Sequence, residues 1–569
     1  VPWVTYTLLK KSSDPARAAN GAGTTAVPIE QKRLYKIYRA VVAPFLESRT
    51  KRFLLAAVVI LLLAASCSLA LFRLVPLKLL PFDNKNEFQV VIDMPEGTTL
   101  ERTDSVVRSF EDYLQTVPEV TQMVSYTGFA SPMDFNGMVR HYYLREGPNL
   151  ADIRVNLAEK SEREQQSHAI LLRIRKDLSK IASEHNAKVK LVEVPPGPPV
   201  LSTVVGEIYG DDHLPYKTLI DASGHLQSIM EKEPMVVDID DMAEASHEKY
   251  SFVIDKEKAA LHGISARAVT GTLRGVLEGS NAATLHLPDE RQPLKIRVTI
   301  PRKEKSSITD LKSIPVKSAN GRMIPVGELA QVKKIKNLQP IYHKNLDRVV
   351  YTLAETAGRA PGAAVIDMMG ALKNDPVPEG TRVEWAGEGE WKITLRVFRD
   401  MGISFAAAMV GIYILLVIQS GSFLMPVLIM MAIPLTLLGI MPGFLLLNTV
   451  AAPPSGGFPN PIFFTATSMI GMIALGGIVI RNSLVLIEFI QDSRKRGEAM
   501  KEAILKSGAI RMRPIVLTAL TTGIGAFPIT FDPVFSGLAW ALIFGLLAST
   551  FFTLIVIPVT YFAVYGKET

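Results

Sequence analysis

Met401–Ile480 reads MGISFAAAMVGIYILLVIQSGSFLMPVLIMMAIPLTLLGIMPGFLLLNTVAAPPSGGFPNPIFFTATSMIGMIALGGIVI and contains no Asp, Glu, Lys, Arg or His. About 18 consecutive apolar residues already indicate a helix that spans a membrane. Because this run is several times longer, it must contain more than one helix. It divides at Gln419–Ser422 and at the Pro/Gly-rich stretch 452–461. These two breaks predict spans near 401–418, 423–447 and 462–490.

Three more uncharged segments have the length of a spanning helix, which needs about 20 residues at about 1.5 Å per residue. They lie at 53–72, 514–531 and 536–565. Together with the three spans above, they predict an all-α membrane bundle of six transmembrane helices.

Lys and Arg are concentrated on one side of the predicted spans, as they are on the cytoplasmic flanks of membrane proteins. They are frequent in 1–52 and in 491–513, which we predict to be a loop, and they are absent from 450–461. With this bias, both termini of the chain are predicted to be cytoplasmic. The segment between the first two spans, about 76–395, is predicted to lie outside.

The first 52 residues are predicted to form three pieces. Residues 1–9 read as the end of a preceding transmembrane helix, and a linker of small and polar residues follows. Within 31–47, apolar residues recur at helical spacing among Lys and Arg: Leu34, Ile37, Tyr38, Val41, Val42 and Phe45. The pattern predicts that 10–52 is a cytoplasmic linker followed by an amphipathic helix on the inner membrane surface.

The segment 76–395 alternates strand and helix patterns. Strand–helix–strand units are predicted over 88–126, over 203–239 and over 348–386. Such split units indicate α+β modules of the ferredoxin-like type. The region 258–341 has a different pattern, with turn signals and short strands, and we interpret it as a domain inserted into the second module.

The predicted domains follow from these boundaries. A transmembrane helix at 53–75 precedes a first module at 76–200. The second module consists of 201–257 and 342–395, with the insertion at 258–341. Five transmembrane helices occupy 396–569.

Composition and motifs exclude several classes of protein. The 569 residues carry 62 Lys and Arg against 55 Asp and Glu, and the net charge of +7 lies in the predicted cytoplasmic flanks, so nucleic acid is not indicated. A single cysteine, Cys67, excludes an intramolecular disulfide. There is no P-loop and no Gly-x-Ser-x-Gly motif, and His247-Glu248 is followed by Ser251 where a zinc-protease helix needs a second histidine. We therefore expect no enzyme activity and no cofactor.

Arg481 interrupts the apolar sequence of the fourth predicted span. It lies seven residues from Glu488, which corresponds to about 10 Å along a helix. A charge at that depth costs at least about 2.5–3.5 kcal/mol, so we expect it to face a partner inside the bundle. Arginine stays protonated, and we interpret it as a counter-charge to carboxylates that exchange protons. The alternative is a structural arginine that reaches the headgroups, but Asn482 and Ser483 beside it favour a polar site.

Thr518 and Thr521 lie three residues apart on the next long span and hence on one helix face. They are candidates for a polar network with Arg481, although threonine is common in membrane helices. No carboxylate of this chain is predicted to reach Arg481, because the nearest ones lie at the ends of spans: Asp400, Glu488 and Asp532.

Several motifs together resemble the C-terminal half of a resistance–nodulation–division (RND) efflux transporter, and the resemblance covers essentially the whole chain. The most specific are Gly477-Ile-Val-Ile-Arg-Asn-Ser-Leu-Val-Leu-Ile-Glu-Phe489 and Arg511-Met-Arg-Pro-Ile-Val-Leu-Thr518. Pro95-Glu-Gly-Thr-Thr99 and Ser420-Gly-Ser-Phe423 occur in the family's order around them.

The resemblance implies the fold and the assembly. Two porter subdomains would occupy 76–200 and 201–395, with a docking subdomain inserted in the second. It further implies a homotrimer in the bacterial inner membrane with its large domain in the periplasm. The expected partners are the N-terminal half of the transporter, a periplasmic adaptor protein and an outer-membrane channel.

The resemblance also implies roles for single residues in proton antiport. Arg481 stands where the drug-exporting branch usually has a relay lysine, and Thr518 stands at the relay threonine. Arg511 matches a family arginine at the start of that helix, and Asn482 lies beside the relay position. An arginine keeps the charge of the lysine but cannot readily lose its proton, so a relay through a lysine that changes its protonation state is not expected here. The aspartates of the relay belong to a helix in the other half.

The segment 126–135 resembles the porter loop that contacts drugs in related pumps. Phe129, Met133 and Phe135 are therefore candidates for substrate contact, and the drug-like motif ending Ile487-Glu-Phe489 favours export of amphiphilic organic compounds. One alternative is heavy-metal export, in which Met123 or Met133 would bind soft metal ions. Another alternative is a truncated or split half that does not transport by itself.

Overall fold

The computed structural model describes residues 33–566, so the predictions for 1–9 and for the linker up to residue 32 lie outside the described residues. Two compact units are present. The larger falls within Val1–Met94, Thr98–Met242 and Ile341–Thr569, and the smaller comprises Pro95–Gly97 and Ala243–Pro340.

The described chain begins with helix α1 (Arg33–Glu47), which has two apolar faces. Tyr38 and Val42 are buried, and the Tyr38 hydroxyl donates a hydrogen bond to the Leu554 carbonyl at 2.9 Å. Ile37, by contrast, is 59% exposed. The apolar residues predicted for one membrane-facing stripe are therefore divided between the protein core and the outer surface. Helix α2 (Arg49–Leu71) follows, capped by the Ser48 side chain.

The first α/β module folds from consecutive elements with a buried core between its sheet and its helices. These elements are β1 (Glu87–Asp93), α3 (Leu100–Leu114), β2 (Val120–Phe129), α4 (Phe135–Val139), β3 (Glu146–Leu157), α5 (Ser167–Glu184) and β4 (Lys188–Glu193). The antiparallel sheet has the order β2-β3-β1-β4, with Val90 opposite both Ile153 and Leu191. The central strand β1 is almost entirely buried because sheet partners flank it on both sides.

The second module begins in the same way and is then interrupted in the sequence. Its first elements are β5 (Val204–Gly210), α6 (Tyr216–Lys232) and β6 (Val236–Asp241). The smaller unit follows, with its own core and with a two-stranded sheet of its first and last strands. Its elements are β7 (Glu248–Ile254), α7 (Lys256–Leu261), α8 (Ala266–Glu278), β8 (Ser280–Leu285), β9 (Leu294–Val298), α9 (Ile308–Ser313), β10 (Pro315–Lys317), β11 (Met323–Pro325), α10 (Val326–Leu329) and β12 (Ala330–Lys336).

The chain then completes the second module with β13 (His343–Lys344), β14 (Asp347–Thr356), α11 (Pro361–Asn374) and β15 (Thr381–Glu384). Strand β14 pairs with both β5 and β6, and β5 also pairs with β15. Leaving out the short β13, the order β6-β14-β5-β15 repeats the order β2-β3-β1-β4 of the first module. When the short α4 of the first module and the insertion in the second are left out, both modules follow the same β-α-β-β-α-β sequence.

The remaining helices form the bundle with α2. They are α12 (Glu390–Ser420), α13 (Leu424–Met430), α14 (Leu437–Val450), α15 (Ala466–Lys495), α16 (Met500–Ala526) and α17 (Ser536–Tyr565). Counting α13 and α14 as one broken span, the described residues contain six helices that are long and apolar enough to cross a membrane. The predicted six spans and mixed α/β domains are confirmed.

One prediction for this region is wrong. The stretch 491–513 is not a loop, because α15 continues to Lys495 and α16 already begins at Met500. Charged residues such as Lys506 and Arg511 therefore lie within the first half of a helix of spanning length. An α-helix satisfies its own backbone hydrogen bonds and does not have to end where the apolar sequence ends.

Helices α14, α15 and α17 form the packed centre of the bundle, and small residues allow their close approach. A Cβ atom at Gly439 of α14 would lie 2.1 Å from the Phe544 carbonyl oxygen of α17, and one at Gly471 of α15 would lie 2.7 Å from the Leu538 carbonyl. Such glycine contacts are typical of helix packing in membranes. Helices α2, α12 and α16 are far more exposed.

Candidate functional site

Arg481 lies on helix α15, on the face turned away from the packed centre. The exposed positions Ile470, Ala474, Gly477, Arg481 and Glu488 recur at helical spacing and form one stripe, which we call the open face of α15. Within residues 33–566, no hydrogen bond or ion pair joins Arg481 to another side chain. The other charged residue of this face, Glu488, lies seven residues further along the helix. The guanidinium of Arg481 therefore has no partner among the described residues.

The two residues after Arg481 turn towards the packed centre. Asn482 is 7% exposed and Ser483 is fully buried. The Ser483 hydroxyl donates to the Val479 carbonyl on its own helix at 3.1 Å, and it therefore does not reach the open face. Of the polar residues predicted beside Arg481, the structure thus assigns both to the opposite side of the helix.

Helix α16 packs beside α15 and carries the other predicted residues of the relay. The Thr518 hydroxyl donates to the Pro514 carbonyl at 2.7 Å, and the Thr521 hydroxyl donates to the Thr518 carbonyl at 3.0 Å. Both bonds lie within α16, so no hydrogen bond connects either threonine to Arg481 in the described part of the chain. Each hydroxyl still has acceptor capacity for an outside donor.

Arg511 has a different environment from Arg481. Its guanidinium lies 4.5 Å from the centre of the Phe489 ring on α15, a cation–π contact between the two helices. Its Nε is buried without a hydrogen-bond partner in the described structure. Glu488, one residue before that ring, accepts a hydrogen bond from the Gln419 amide of α12 at 3.0 Å. This end of the bundle is thus held by polar contacts that Arg481 lacks.

The predicted substrate-contact segment 126–135 begins within strand β2, which ends at Phe129, and reaches Phe135 at the start of α4. Phe129, Met133 and Phe135 are 58%, 62% and 63% exposed, so the loop presents three large apolar side chains. Asp134 anchors it by accepting hydrogen bonds from Arg154 Nη1 at 2.6 Å and from the Gly137 amide. Burial raises the pKa of the Asp134 carboxyl, but the bond from Arg154 and that from Gly137 outweigh it and lower this pKa. Spacing could not predict this anchor, because Arg154 comes from the neighbouring strand.

Met123, the other residue considered for soft metals, lies on β2 and packs against the core of the first module. The smaller unit contains a different donor group, in which ligand atoms of Glu96, Glu244 and His247 all lie within 4.8 Å of one another. Carboxylate oxygen and imidazole nitrogen suit borderline divalent metals such as Zn²⁺. Sequence reasoning missed this group because Glu96 is far from the other two residues in the chain.

Buried charges are paired within the two modules. Arg145 Nη1 bonds Asp93 at 2.6 Å and its Nε bonds Asp152 at 3.3 Å, while Lys190 joins Asp93 at 3.1 Å to Asp240 at 2.5 Å. Burial raises the pKa of the Asp93 carboxyl, but the charges of Lys190 and Arg145 outweigh it and lower this pKa to about 2. Because Asp240 belongs to β6 of the second module, the network ties the two modules together.

Six apolar helices of spanning length and a repeated α/β module agree with the architecture that the resemblance to RND transporters implies. The family model described as the AcrB/AcrD/AcrF family matches residues 1–565, and the chain belongs to this family.

Known relatives include exporters and a motility protein. The chain is 24% identical over 99% of its length to the swarming motility protein SwrC of Bacillus subtilis, of which the match covers 49%. It is 24% identical over 85% of its length to the cobalt-zinc-cadmium resistance protein CzcA of Cupriavidus metallidurans, covering 45% of that protein. It is 23% identical over 81% of its length to the multidrug export protein AcrF of Escherichia coli, covering 42% of that protein.

A crystal structure of a heavy metal efflux pump has the same fold, with a TM-score of 0.75 at 18% identity. The similarity covers 94% of this chain and 52% of that pump. The chain thus spans about half the length of the relatives that it matches.

Proposed function

We propose that this chain supplies the C-terminal half of a proton-driven RND efflux pump in a bacterial inner membrane. The observation that carries the proposal is the unpaired Arg481 on the open face of α15. A guanidinium on an apolar spanning helix is costly unless an anion or water faces it. Carboxylates of the other half would be such a partner.

The mechanism follows from the charge of arginine. Arg481 stays protonated, so it would stabilise the ionised form of a facing carboxylate and lower the pKa of that group. Protonation of the carboxylate would release Arg481 and let its side chain reorient. Thr518 would offer a hydroxyl acceptor from the neighbouring helix, while Arg511 and Asn482 would hold the helices that carry the relay.

Replacement of Arg481 in the transporter assembled with its N-terminal half tests this proposal. Arg481→Ala should reduce substrate-driven proton uptake in proteoliposomes to that of empty vesicles, and Arg481→Lys should restore part of it because the charge is kept. Lys495→Ala, at the exposed end of the same helix, is the matched control and should leave uptake unchanged. Wild-type proton uptake by the Arg481→Ala protein would refute the proposal.

We propose amphiphilic organic compounds as substrates, taken from the periplasm or the inner membrane. The exposed Phe129, Met133 and Phe135 support this, because apolar and aromatic side chains line sites for such ligands. Replacing all three by Ser should lower dye efflux from cells. Ser replacement at Leu261, which is also exposed but belongs to the smaller unit, should not.

Heavy-metal export is the second candidate. It is supported by the relatives named for metal resistance and by the donor group Glu96, Glu244 and His247. If metals are the cargo, deletion of the gene should sensitise cells to zinc or cobalt and leave dye accumulation unchanged. Dye accumulation with unchanged metal tolerance would instead support amphiphile export.

A half that does not transport by itself is the remaining alternative. Proton-coupled substrate movement by the reconstituted chain alone would exclude it.

The assembly is also proposed by analogy with the family. The α/β block would lie in the periplasm, and the termini of the chain in the cytoplasm. Its two β-α-β-β-α-β modules would be ferredoxin-like porter subdomains, and the smaller unit would be the docking subdomain. We expect a homotrimer that works with a periplasmic adaptor and an outer-membrane channel, and cross-linking in intact cells would test these contacts.

A further inference from the structure

A cleft of about 1250 Å³ lies in the larger unit where spanning helices meet the α/β block. Its walls come from the end of α2 and the residues after it, the start of α11, the start of α12 and the loop before α15. The loop closes tightly on the second module, because a Cβ atom at Gly358 would lie 2.1 Å from the Pro459 carbonyl oxygen. The cleft exceeds the roughly 300–1000 Å³ of most small-molecule pockets.

The lining of the cleft is mostly apolar and unusually exposed. Five large side chains in it leave between 42% and 78% of their surface uncovered: Leu71, Leu74, Leu77, Ile366 and Leu395. A contiguous exposed apolar surface of this kind marks a place where another molecule binds.

The position of these residues along the spanning helices sets the depth of the cleft. Leu71 is the last residue of α2, and Leu395 precedes the uncharged run of α12 that begins at Met401. Trp391 also lines the cleft, and tryptophan is enriched where headgroups meet acyl chains. The cleft therefore lies at the level of the lipid headgroups on the side of the α/β block.

The charged residues that line the cleft are three arginines, Arg73, Arg359 and Arg399. Asp367, which does not line the cleft, accepts two hydrogen bonds from Arg73 at 2.5 and 2.8 Å and also binds Arg359. Arg399 is 64% exposed in its side chain and bonds only Asp400, through Nε, among the described residues. A guanidinium has five N–H groups, so donors remain to bind an anion within the cleft.

We propose that this cleft is a binding site for an acidic phospholipid of the membrane leaflet next to the α/β block. An acyl chain would cover the exposed leucines and Ile366, which is favourable because it removes apolar surface from water. The lipid phosphate would accept hydrogen bonds from Arg399 and Arg73, because guanidinium and phosphate match in charge and geometry. The membrane supplies this ligand at high local concentration. The inference requires only that α2 and α12 span the membrane and does not depend on what the transporter exports.

Lipid retention by the transporter that contains this chain tests the proposal. The protein is reconstituted with equal amounts of phosphatidylglycerol and phosphatidylcholine, extracted gently, and examined by native mass spectrometry. We expect one phosphatidylglycerol retained per chain. Arg399→Gln should weaken its retention about tenfold through loss of a charge-assisted bond, and Leu395→Trp should abolish it by filling the cleft.

Two substitutions on the same helix outside the cleft are controls, Arg396→Gln and Leu415→Trp, and both should retain the lipid. None of the four variants removes a member of the Arg73–Asp367–Arg359 network, so we expect all of them to fold. Thermal stability is measured for each variant to check that a loss of lipid does not reflect unfolding. Equal retention of phosphatidylcholine, undiminished retention in Leu395→Trp, or replacement of the lipid by neutral dodecyl maltoside would each overturn the proposal.

Discussion

Charged side chains of the α/β modules and Arg481 of the helix bundle differ in whether they have partners. In the modules, Arg145 and Lys190 each bond two carboxylates. In the bundle, Arg481 has no polar partner among the described residues. Pairing within the modules makes their charges part of the fold, whereas Arg481 forms no such pair with a described residue. The difference distinguishes charges that are paired within the fold from a charge for which we propose a functional partner outside it.

The largest effect should come from removing a shared cation in the modules. Arg145→Met would leave Asp93 and Asp152 buried without their common partner, which should lower the free energy of unfolding by about 3–5 kcal/mol. Urea denaturation in detergent, followed by circular dichroism, measures it. Arg108→Met removes an exposed pair with Asp104 and should change little. Equal losses of unfolding free energy for Arg145→Met and Arg108→Met would contradict the view that the paired charges of the modules stabilise the fold.

Disrupting the helix packing in the centre of the bundle should have the second-largest effect on stability. Gly439→Val would drive a side chain into the Phe544 carbonyl, and we expect a loss of about 3 kcal/mol, measured as a lower midpoint of unfolding in dodecyl sulfate titrations. Gly411→Val on α12 has no atom within 4 Å of the added Cβ. A similar loss at Gly411 would show that glycine contacts do not distinguish the centre from the exposed helices.

The free energy of unfolding should depend on pH at low pH, because protonation of Asp93 weakens its bonds to Arg145 and Lys190. Its carboxyl pKa falls from the ordinary 3.8 to about 2, so the charged form contributes about 2 kcal/mol that is fully present above pH 3.8. That contribution should be lost as the pH falls from 3.8 through 2.

Asp93→Asn should therefore be less stable than wild type at pH 7, with the difference shrinking below pH 3.8. Urea denaturation of both proteins across this pH range measures the difference. A constant difference down to pH 2 would contradict the assigned pKa.

The smallest effect on stability should come from Arg481. Because no described residue pairs with it, Arg481→Leu in the chain alone should change the free energy of unfolding by less than about 0.5 kcal/mol. In the assembled transporter, the same change should still stop proton uptake. A loss of several kcal/mol in the isolated chain would show that Arg481 has a structural partner here.

The hydropathy and periodicity of neighbouring residues were sufficient to predict many of the helices and strands. The strand–helix–strand unit predicted over 88–126 is observed from Glu87 of β1 to Phe129 of β2. The last span, predicted over 536–565, is observed as Ser536–Tyr565. The candidate site was predicted less completely. Arg481 is evident in the sequence as a charge in an apolar run. That Asn482 is buried on another face, and that the Thr518 hydroxyl bonds its own helix, depends on helix rotation and packing.

Sequence by itself determined that this is a membrane protein with six spanning helices and repeated α/β modules, because hydropathy and periodicity act over neighbouring residues. The tertiary structure alone decided which charges are paired, which face of α15 carries Arg481, and where the cleft beside α2 and α12 lies. Each of these features joins residues that are far apart in the chain, such as Arg73 with Asp367 or Lys190 with Asp240. Only the folded chain brings such partners within hydrogen-bonding distance.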